Sequence, residues 1–331
     1  MRAVVAVLIA MAGVAHADSQ VTVTLNDEGV KLANRIGLSV PELIADTQTR
    51  IDELYKVSRI DELLRAFANT AAFTHRGHAV DYDVDPNDIL VGVSGGGVHG
   101  DVAIGTTSSL LGGSILNYSV MTGVNLGRWN QPRITLFASG FYNTQTIHGL
   151  TGHLLTLSTH AQYQLVPAVA RPHVRWTGVA ATTGFEYTRL TLGTSSSIES
   201  HFSAKGPNET LTIHMSSTGE LDVLTTTYAI PLEVTTGVRF GALALYGGGG
   251  LTITTGTSTI TAQLNSVLSF TGDHIPVGDA VITGSGENTP STIGAHAITG
   301  LAIHTRYARF FLQGTFASGE TAASLGVRGA F

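Results

Sequence analysis

The chain ends in Thr321-Ala-Ala-Ser-Leu-Gly-Val-Arg-Gly-Ala-Phe331, and this stretch has the two-residue period of a β-strand. Leu325, Val327 and Phe331 fall on one face and Arg328 on the other, because successive side chains of a strand point to opposite faces. The stretch therefore predicts a C-terminal strand that has one apolar face and an aromatic end.

This ending resembles the closing strand of bacterial outer-membrane β-barrels, whose apolar face also ends on Phe. The resemblance implies that Phe331 is an assembly signal, which makes the barrel-assembly machinery an expected partner. The sequence departs from the family at Gly329, where a large apolar residue is usual. The resemblance is to a class of proteins, covers about residues 89–331, and implies an outer-membrane location in a Gram-negative envelope with outer-membrane lipid around the barrel.

The N-terminus predicts export. Met1-Arg2 precedes a short apolar run from Ala3 to Val14, and Ala15-His-Ala17 supplies an A-x-A cleavage site. This is the pattern of a secretory signal peptide, and the run is too short to span a bilayer as a helix. We assign residues 1–17 to a signal peptide.

The composition favours a barrel over a soluble protein. Only 13% of the residues are charged and 39 are Gly, whereas about a quarter of a soluble protein is charged. A barrel needs less charge because its outer face meets lipid. The net charge of −6 gives no basic patch, so we expect no nucleic-acid partner. The chain has no cysteine, so it has no disulfides.

Residues 18–88 form a charged segment with helical periodicity. Ser39-Val-Pro-Glu42 is a capping box with Pro in the first turn. The apolar residues before and after Val57 point in opposite directions at 100° per residue, so we predict two helices, 39–56 and 58–72, with one long helix gripped on both sides as the alternative. Such helices could cover each other in a hairpin, contact a neighbouring protomer, or plug the lumen; their place is periplasmic or inside the barrel.

The acidic stretch Asp81-Tyr-Asp-Val-Asp-Pro-Asn-Asp88 follows these helices. Its D-x-D-x-D spacing is that of a calcium loop, but Pro86 stands where an EF-hand needs Gly and Gly92 where it needs Glu. His75 and His78 just upstream could contribute to a metal site. A solvated linker is the better interpretation, so we assign no metal and no cofactor.

From residue 89 the pattern changes to period two over runs of ten to fifteen residues, longer than the five or six of a globular strand. The fold class predicted is mainly β: an antiparallel transmembrane β-barrel over 89–331 with about ten strands (range 8–12). The predicted strands are 89–105, 115–127, 133–143, 151–165, 173–193, 223–238, 243–262, 291–305, 309–317 and 321–331. Aromatic residues cluster near their ends, as interfacial belts require.

Short turns near 128–132, 166–172, 239–242 and 306–309 alternate with longer connections, of which 194–222 and 263–290 are the longest. Outer-membrane barrels place short turns on the periplasmic side. An even strand count then puts both the N-terminal segment and the C-terminus on that side.

If the apolar faces meet lipid, the opposite faces line the lumen. Two interpretations stay open, a ring that favours anions and a set of structural ion pairs between Glu233 and Arg239, Arg175 or Arg328. The glycine runs 95–97 and 247–250 could curve the strands or admit the helices. The predicted lumen-lining residues are Arg175, Glu233, Arg239, Arg306, Arg328, His160, His296 and His304.

No hydrolase constellation is complete. His214 and Ser216 match an outer-membrane phospholipase segment only in part, because Ser217 stands where Asn is needed, and Asp273-His274 is an isolated pair. We therefore expect no enzymatic activity. The function predicted is a passive, porin-like narrow pore for small solutes or a structural membrane protein; the alternative is surface binding or adhesion through 194–222 and 263–290, and a barrel-embedded hydrolase is the third choice.

Overall fold

The computed structural model describes residues 20–55, 60–76, 78, 80–82, 89–100, 113–147, 150–270 and 275–331. These residues form three α-helices, a short 3₁₀ turn at Leu126–Trp129 and thirteen strands in one sheet. The strands are β1 (Gln20–Leu25), β2 (Ile89–Gly100), β3 (Gly113–Asn125), β4 (Ile134–Ile147), β5 (Leu150–Val166), β6 (Val169–Ala170), β7 (Arg175–Lys205), β8 (Thr210–Phe240), β9 (Leu243–Phe270), β10 (Pro276–Asn288), β11 (Ile293–His304), β12 (Ala308–Ala317) and β13 (Glu320–Ala330). The predicted signal peptide lies outside the described residues.

The helices are α1 (Asp27–Ile36), α2 (Val40–Tyr55) and α3 (Ile60–Phe73). Of these, α2 and α3 are the two predicted helices, and α2 begins at the predicted capping box: Ser39 N and Oγ donate to Glu42 Oε2 at 2.8 and 2.7 Å. None of the described helices is long and apolar enough to cross a membrane.

Ten of the described strands close into an antiparallel ring. The order around the ring is β2-β3-β4-β5-β7-β8-β9-β11-β12-β13, and β13 pairs back onto β2. The last step of closure joins the chain's end to the start of the barrel, since Phe331 N donates to Ile89 O and Ile89 N to Phe331 O, each at 3.0 Å. The predicted antiparallel barrel is confirmed, and β1, β6 and β10 extend the same sheet outside the ring.

The barrel wall is apolar outside and polar inside. Its outer face exposes large apolar side chains, including Val91, Val93, Leu116, Tyr118, Leu157, Phe185, Ile230, Leu232, Val234, Leu245, Leu251, Leu301, Phe310, Leu312 and Leu325. Its inner face buries polar ones, including Ser94, Asn117, Ser158, Gln162, Thr182, Thr227, Thr235, Thr252, Gln313 and Ser324. The strands β2, β11, β12 and β13 have 10 to 12 residues, which suits a tilted crossing of the bilayer.

The strands β7, β8 and β9 are far longer, with 31, 31 and 28 residues. Their upper halves rise beyond the ring and, with β10 and β1, form a five-stranded sheet in the order β7-β8-β9-β10-β1. We call this upper sheet and the three helices the head. The expectation that 194–222 and 263–290 are long loops is wrong, because most of these residues are strand.

The polarity of the strands inverts where the head begins. On β8, Leu224, Tyr228 and Leu232 point outward in the barrel, whereas Leu211 and Leu221, on the opposite face, are buried in the head. The outer face of the head is polar, as it is at Asp222 and Glu220 on β8. At about 3.3 Å per residue, the inverted part of β8, residues 210–223, rises roughly 45 Å.

The three helices cover the apolar inner face of the head. Ile36 of α1, Leu43 and Ile51 of α2 and Leu64 of α3 join Ile213, Met215, Leu221, Ile260, Leu264 and Ile282 in one buried core. Helix α2 contacts both edge strands of the head, β1 and β7. The three helices thus lie at the opposite end of the barrel from Phe331, and the expectation that the N-terminal segment and the C-terminus share one side is wrong for these helices. Its helices also do not form the isolated hairpin considered above.

Candidate functional site: a chain segment inside the barrel

The residues that follow α3 run through the lumen. We call residues 74–76, 78 and 80–82 the lumen segment. Their hydrogen bonds reach strands all around the ring: Asn117 of β3 donates to Thr74 O at 2.7 Å, His78 Nδ1 lies 2.9 Å from Ser94 Oγ of β2, and Gln162 of β5 donates to Asp81 O at 3.4 Å. Contacts on so many sides show that the segment crosses the lumen, from the head towards the start of β2.

The upper half of the lumen segment is held by two wall carboxylates. Arg76 donates from Nη1 and Nη2 to the two oxygens of Glu186, each at 3.2 Å, and from Nη1 to Glu233 Oε1 at 3.1 Å. A fourth hydrogen bond reaches Thr252 Oγ1 at 2.9 Å. Because all three charged side chains are at most 4% exposed, these bonds are strong and the loss of any one partner leaves a buried charge.

Three further side chains complete this acidic cluster. His160 Nε2 lies 3.1 Å from Glu186 Oε1, and His296 Nε2 lies 3.1 Å from Glu233 Oε1. The Tyr82 hydroxyl donates to Glu233 Oε2 at 2.9 Å. Both oxygens of each carboxylate therefore have partners, which is what makes burial of two carboxylates side by side tolerable.

The lower half of the lumen segment is held with the opposite polarity. Asp81 accepts from Arg309 Nη1 at 3.2 Å and lies 3.4 Å from Arg328 Nη1. Arg328 also donates to Val80 O at 2.9 Å and stacks over Phe311, with 3.8 Å between its Cζ and the ring centroid. The wall is thus acidic where the segment carries Arg76 and basic where it carries Asp81.

The three arginines and three carboxylates of the two clusters balance when the histidines are neutral. The arrangement fits the segment in one direction only, since reversing it would bring like charges together. Among the described residues, no group of three His, Cys, Asp or Glu side chains is placed to hold a metal ion. The chemistry of this site is ion pairing and hydrogen bonding.

The structure places most of the predicted lumen-lining residues on the inner face. Glu233, His160, His296 and Arg328 are buried beside the lumen segment. Arg175, Arg239 and His304 lie at the short-turn end of the barrel, where Arg239 Nη1 is 3.5 Å from His304 Nδ1.

The prediction that Arg306 lines the lumen is wrong. Arg306 is exposed on the turn after β11, with its guanidinium 5.1 Å from the Tyr307 ring centroid, because the period-two pattern stops at His304. Within the described residues, Glu233 pairs with Arg76 and His296. The sequence had suggested Arg239, Arg175 or Arg328 as its partner.

Sequence reasoning missed Arg76, Tyr82, Glu186 and Arg309, and it placed Asp81 in a solvated linker. Arg76 and Glu186 are 110 positions apart in the chain, and Asp81 and Arg309 are 228 positions apart. Glu186 could have indicated the site from the sequence, because it is an acidic residue on the inner face of a predicted strand and a buried carboxylate needs a cationic partner.

Two glycines of β2 make room for the N-terminal segment. A Cβ on Gly96 would lie 2.9 Å from His78 Nε2 and 2.3 Å from Ala323 O, and one on Gly100 would lie 2.3 Å from Thr70 Oγ1 of α3. The first glycine run therefore admits a close approach from inside. A Cβ on Gly248 or Gly250 would instead meet wall atoms of β8.

Comparison with solved structures finds membrane barrels at low similarity. The translocator domain of the autotransporter NalP from Neisseria meningitidis is 11% identical, with 88% of this chain and 97% of that chain covered and a TM-score of 0.29. Ail, the attachment invasion locus protein of Yersinia pestis, is 9% identical over 75% of this chain and all of that chain, with a TM-score of 0.22.

The transport unit of the autotransporter AIDA-I from Escherichia coli is 12% identical over 83% of this chain and 100% of that chain, with a TM-score of 0.21. The assignment of the fold rests on the strand pairing described above. No curated protein matches the sequence. A family model described as Lsa36-like matches residues 16–331, and the chain belongs to the Lsa36-like family.

Proposed function

We propose that this protein is a closed, non-enzymatic outer-membrane β-barrel that anchors the head at the membrane. Of the two passive roles that the sequence suggests, an open pore and a structural membrane protein, the geometry supports the second. The observation that carries this proposal is the lumen segment, pinned to the wall by Arg76 above and Asp81 below.

The narrow space around the acidic cluster supports a closed lumen. The cavity bounded by Arg76, Tyr82, Glu186 and Glu233 has a volume of about 10 Å³, which is close to the least that holds one water molecule. A small solute would have to displace a segment held by at least four charged hydrogen bonds and one further ion pair. A conducting state would therefore require the segment to leave the lumen.

The head has the properties of a displayed domain. Its outer face is polar while its inner face is covered by helices, so it can stand in water beyond the apolar band. If the short-turn end faces the periplasm, as the outer-membrane class implies, the head stands on the outside of the cell. The bidentate contact of Arg35 with Glu209, at 3.0 and 3.1 Å, fixes α1 to the turn at its tip.

Planar-bilayer recording tests the closed barrel. We expect the wild-type protein to show no stable conducting level, and Arg76→Met to show frequent openings because Glu186 and Glu233 lose their cation. Lys205→Met, in the exposed tip of the head, is the matched control and should stay closed. A steady open level in the wild-type protein would contradict the proposal.

A second candidate function is binding by the outer face of the head. A shallow groove of about 440 Å³ lies there, lined by hydroxyl, amide and carboxylate side chains, namely Ser195, Ser197, Thr218, Glu220, Gln263 and Asn265. Such groups suit a hydroxylated ligand such as a polysaccharide. A glycan array probed with wild-type protein and with Thr218→Ala/Gln263→Ala/Asn265→Ala tests it, because binding that survives the triple substitution excludes this groove.

A further inference from the structure

We propose that the short-turn end of the barrel carries a ring of arginines that binds the phosphate headgroups of anionic phospholipids. This inference rests on the membrane placement given under the proposed function. It adds to it a lipid preference and a site, both at the end of the barrel away from the head.

The turns between strands at this end are basic, except for residues 241–242, which carry no charge. They are residues 126–133, 167–174, 241–242 and 305–307, and they contain four arginines and no Asp or Glu, although the whole chain has a net charge of −6. The four are Arg128, Arg133, Arg171 and Arg306. Since these turns join β3 to β4, β5 to β7 and β11 to β12, the arginines are spread around the rim rather than gathered in one patch.

None of these four guanidinium groups has an acidic partner in the part of the chain that the structure describes. All four residues are exposed, and Arg306 stacks on Tyr307 instead of pairing with a carboxylate. This differs from the lumen, where Arg76, Arg309 and Arg328 all meet carboxylates. Exposed guanidinium groups can therefore bind phosphate oxygens without giving up an ion pair.

Aromatic side chains place these arginines at headgroup depth. Trp129 is 63% and Tyr307 64% exposed, each directly beside one of the arginines in sequence, and Trp176 points outward opposite Val238. Exposed Phe310 and Phe331 complete the belt. Trp and Tyr prefer the boundary between hydrocarbon and headgroups, so the turns lie at the level of the lipid phosphates.

In the part of the chain that the structure describes, the other end of the barrel wall carries charges of both signs. Arg189 and Asp222 both lie on the outer face near the start of the head. The charge pattern therefore favours an anionic lipid at the short-turn end. In sequence, Asp83, Asp85 and Asp88 precede β2; they lie outside the described residues, and the experiment below includes the outcome in which they neutralise the ring.

Tryptophan quenching by brominated lipid tests the ring directly, because the chain has only two tryptophans, Trp129 and Trp176, and both lie at this rim. The full-length protein is folded into zwitterionic phosphatidylcholine vesicles that contain equal small fractions of phosphatidylglycerol. Either the phosphatidylcholine or the phosphatidylglycerol is brominated. We expect brominated phosphatidylglycerol to quench with an apparent affinity about fivefold higher, as one arginine near a phosphate supplies, and 0.5 M salt to reduce this preference.

Arg128→Gln/Arg133→Gln/Arg171→Gln/Arg306→Gln should bring the ratio of the two affinities to about one, whereas the matched control Arg189→Gln should leave it unchanged. Equal quenching of the wild-type protein by both lipids would contradict the proposal that the arginines bind anionic phospholipid. The same result is expected if Asp83, Asp85 and Asp88 neutralise the arginines, so that outcome also counts against the proposal. Absence of quenching by either lipid would instead contradict the membrane placement on which the proposal rests.

Discussion

Arg76 and Glu233 join the segment that leaves the head to the wall of the barrel, with 3.1 Å between Nη1 and Oε1 and with side chains that are 4% and 3% exposed. The pair links positions 157 residues apart. It also shares Glu233 with His296 and Tyr82, so the barrel and the N-terminal segment are held by one network.

Arg76→Met should lower the free energy of unfolding by about 3–5 kcal/mol, because two carboxylates then stay buried without their cation. Arg76→Met/Glu186→Gln/Glu233→Gln should recover most of this loss, since the cluster becomes neutral. Urea unfolding of the barrel in detergent, followed by tryptophan fluorescence, measures both. If the triple variant is less stable than the single one, the charge balance of the cluster is not what holds the segment.

The inversion of polarity along β8 predicts where the bilayer ends. Leu232→Arg, on the outer face of the barrel, should cost about 2–4 kcal/mol if it lies near the bilayer midplane. Thr218→Arg, on the same face of the same strand but in the head, should cost almost nothing because that face meets water. Reversible unfolding from lipid vesicles compares the two, and equal costs would mean that the apolar band does not end near Leu224.

Local sequence patterns were enough to predict the strands of the barrel but not those of the head. Alternation such as Leu232 with Glu233 predicts a strand and its two faces without knowledge of the partner strand. In the head the apolar residues of β8 are separated by Ser217 and Gly219 and fall on the other face. A stretch rich in Ser, Thr and Gly with a shifted phase therefore has the sequence character of a loop.

The position of the lumen segment could not be predicted from local sequence patterns, for a different reason. His75, Arg76 and Asp81 show no periodicity, and only the folded wall reveals their partners. Helix α1 could have been predicted. Asn26 caps it by accepting from Gly29 N at 3.0 Å, and Gly37 ends it at φ 79°, which are the residue types expected at those positions.

The capping box of α2 predicts a small dependence of stability on pH. Hydrogen bonds from the Ser39 side chain and backbone lower the pKa of Glu42 below its usual value of 4.5. The ionised carboxylate therefore stabilises the helix above the pKa of the unfolded chain, and this effect is lost as pH falls through the lower pKa of the folded chain. Ser39→Ala should reduce the melting temperature at pH 7 and have less effect at pH 3. The same reduction at both values would contradict the capping role.

Deletion of Phe331 should lower the amount of folded barrel in the outer membrane. The residue contributes the two backbone hydrogen bonds to Ile89 that finish ring closure, and its exposed ring is the expected assembly signal. Cell fractionation with a heat-modifiability gel measures folded and unfolded protein. Phe331→Ala keeps the backbone bonds, so a defect in both variants assigns the effect to the ring, and normal folding of both contradicts the assembly role.

Removal of residues 18–80 alone should make the protein aggregate, because it uncovers the apolar face of the head as well as emptying the lumen. Ile36, Leu43, Ile51 and Leu64 would be lost from the core, which would leave Ile213, Met215 and Leu264 facing water. The expected result is aggregation during refolding, detected by light scattering. A monodisperse barrel after this deletion would mean that the helices are not required to cover the sheet.

Removal of the head together with its helices should instead give a folded, conducting barrel. In this variant residues 18–82, which include the whole lumen segment, are deleted, and Asn-Gly turns replace 194–221 and 255–291. The register allows both joins, because Gly193 pairs with Asp222 and Ile253 with Ile293, and Asn-Gly suits two-residue hairpins. The ten-stranded ring keeps its apolar band, while the lumen loses the segment that fills it. Planar-bilayer recording should show a stable open level that the full-length protein lacks. A head-free barrel that is heat-modifiable yet does not conduct would show that the wall alone closes the lumen, and that the segment bearing Arg76 and Asp81 is not the plug.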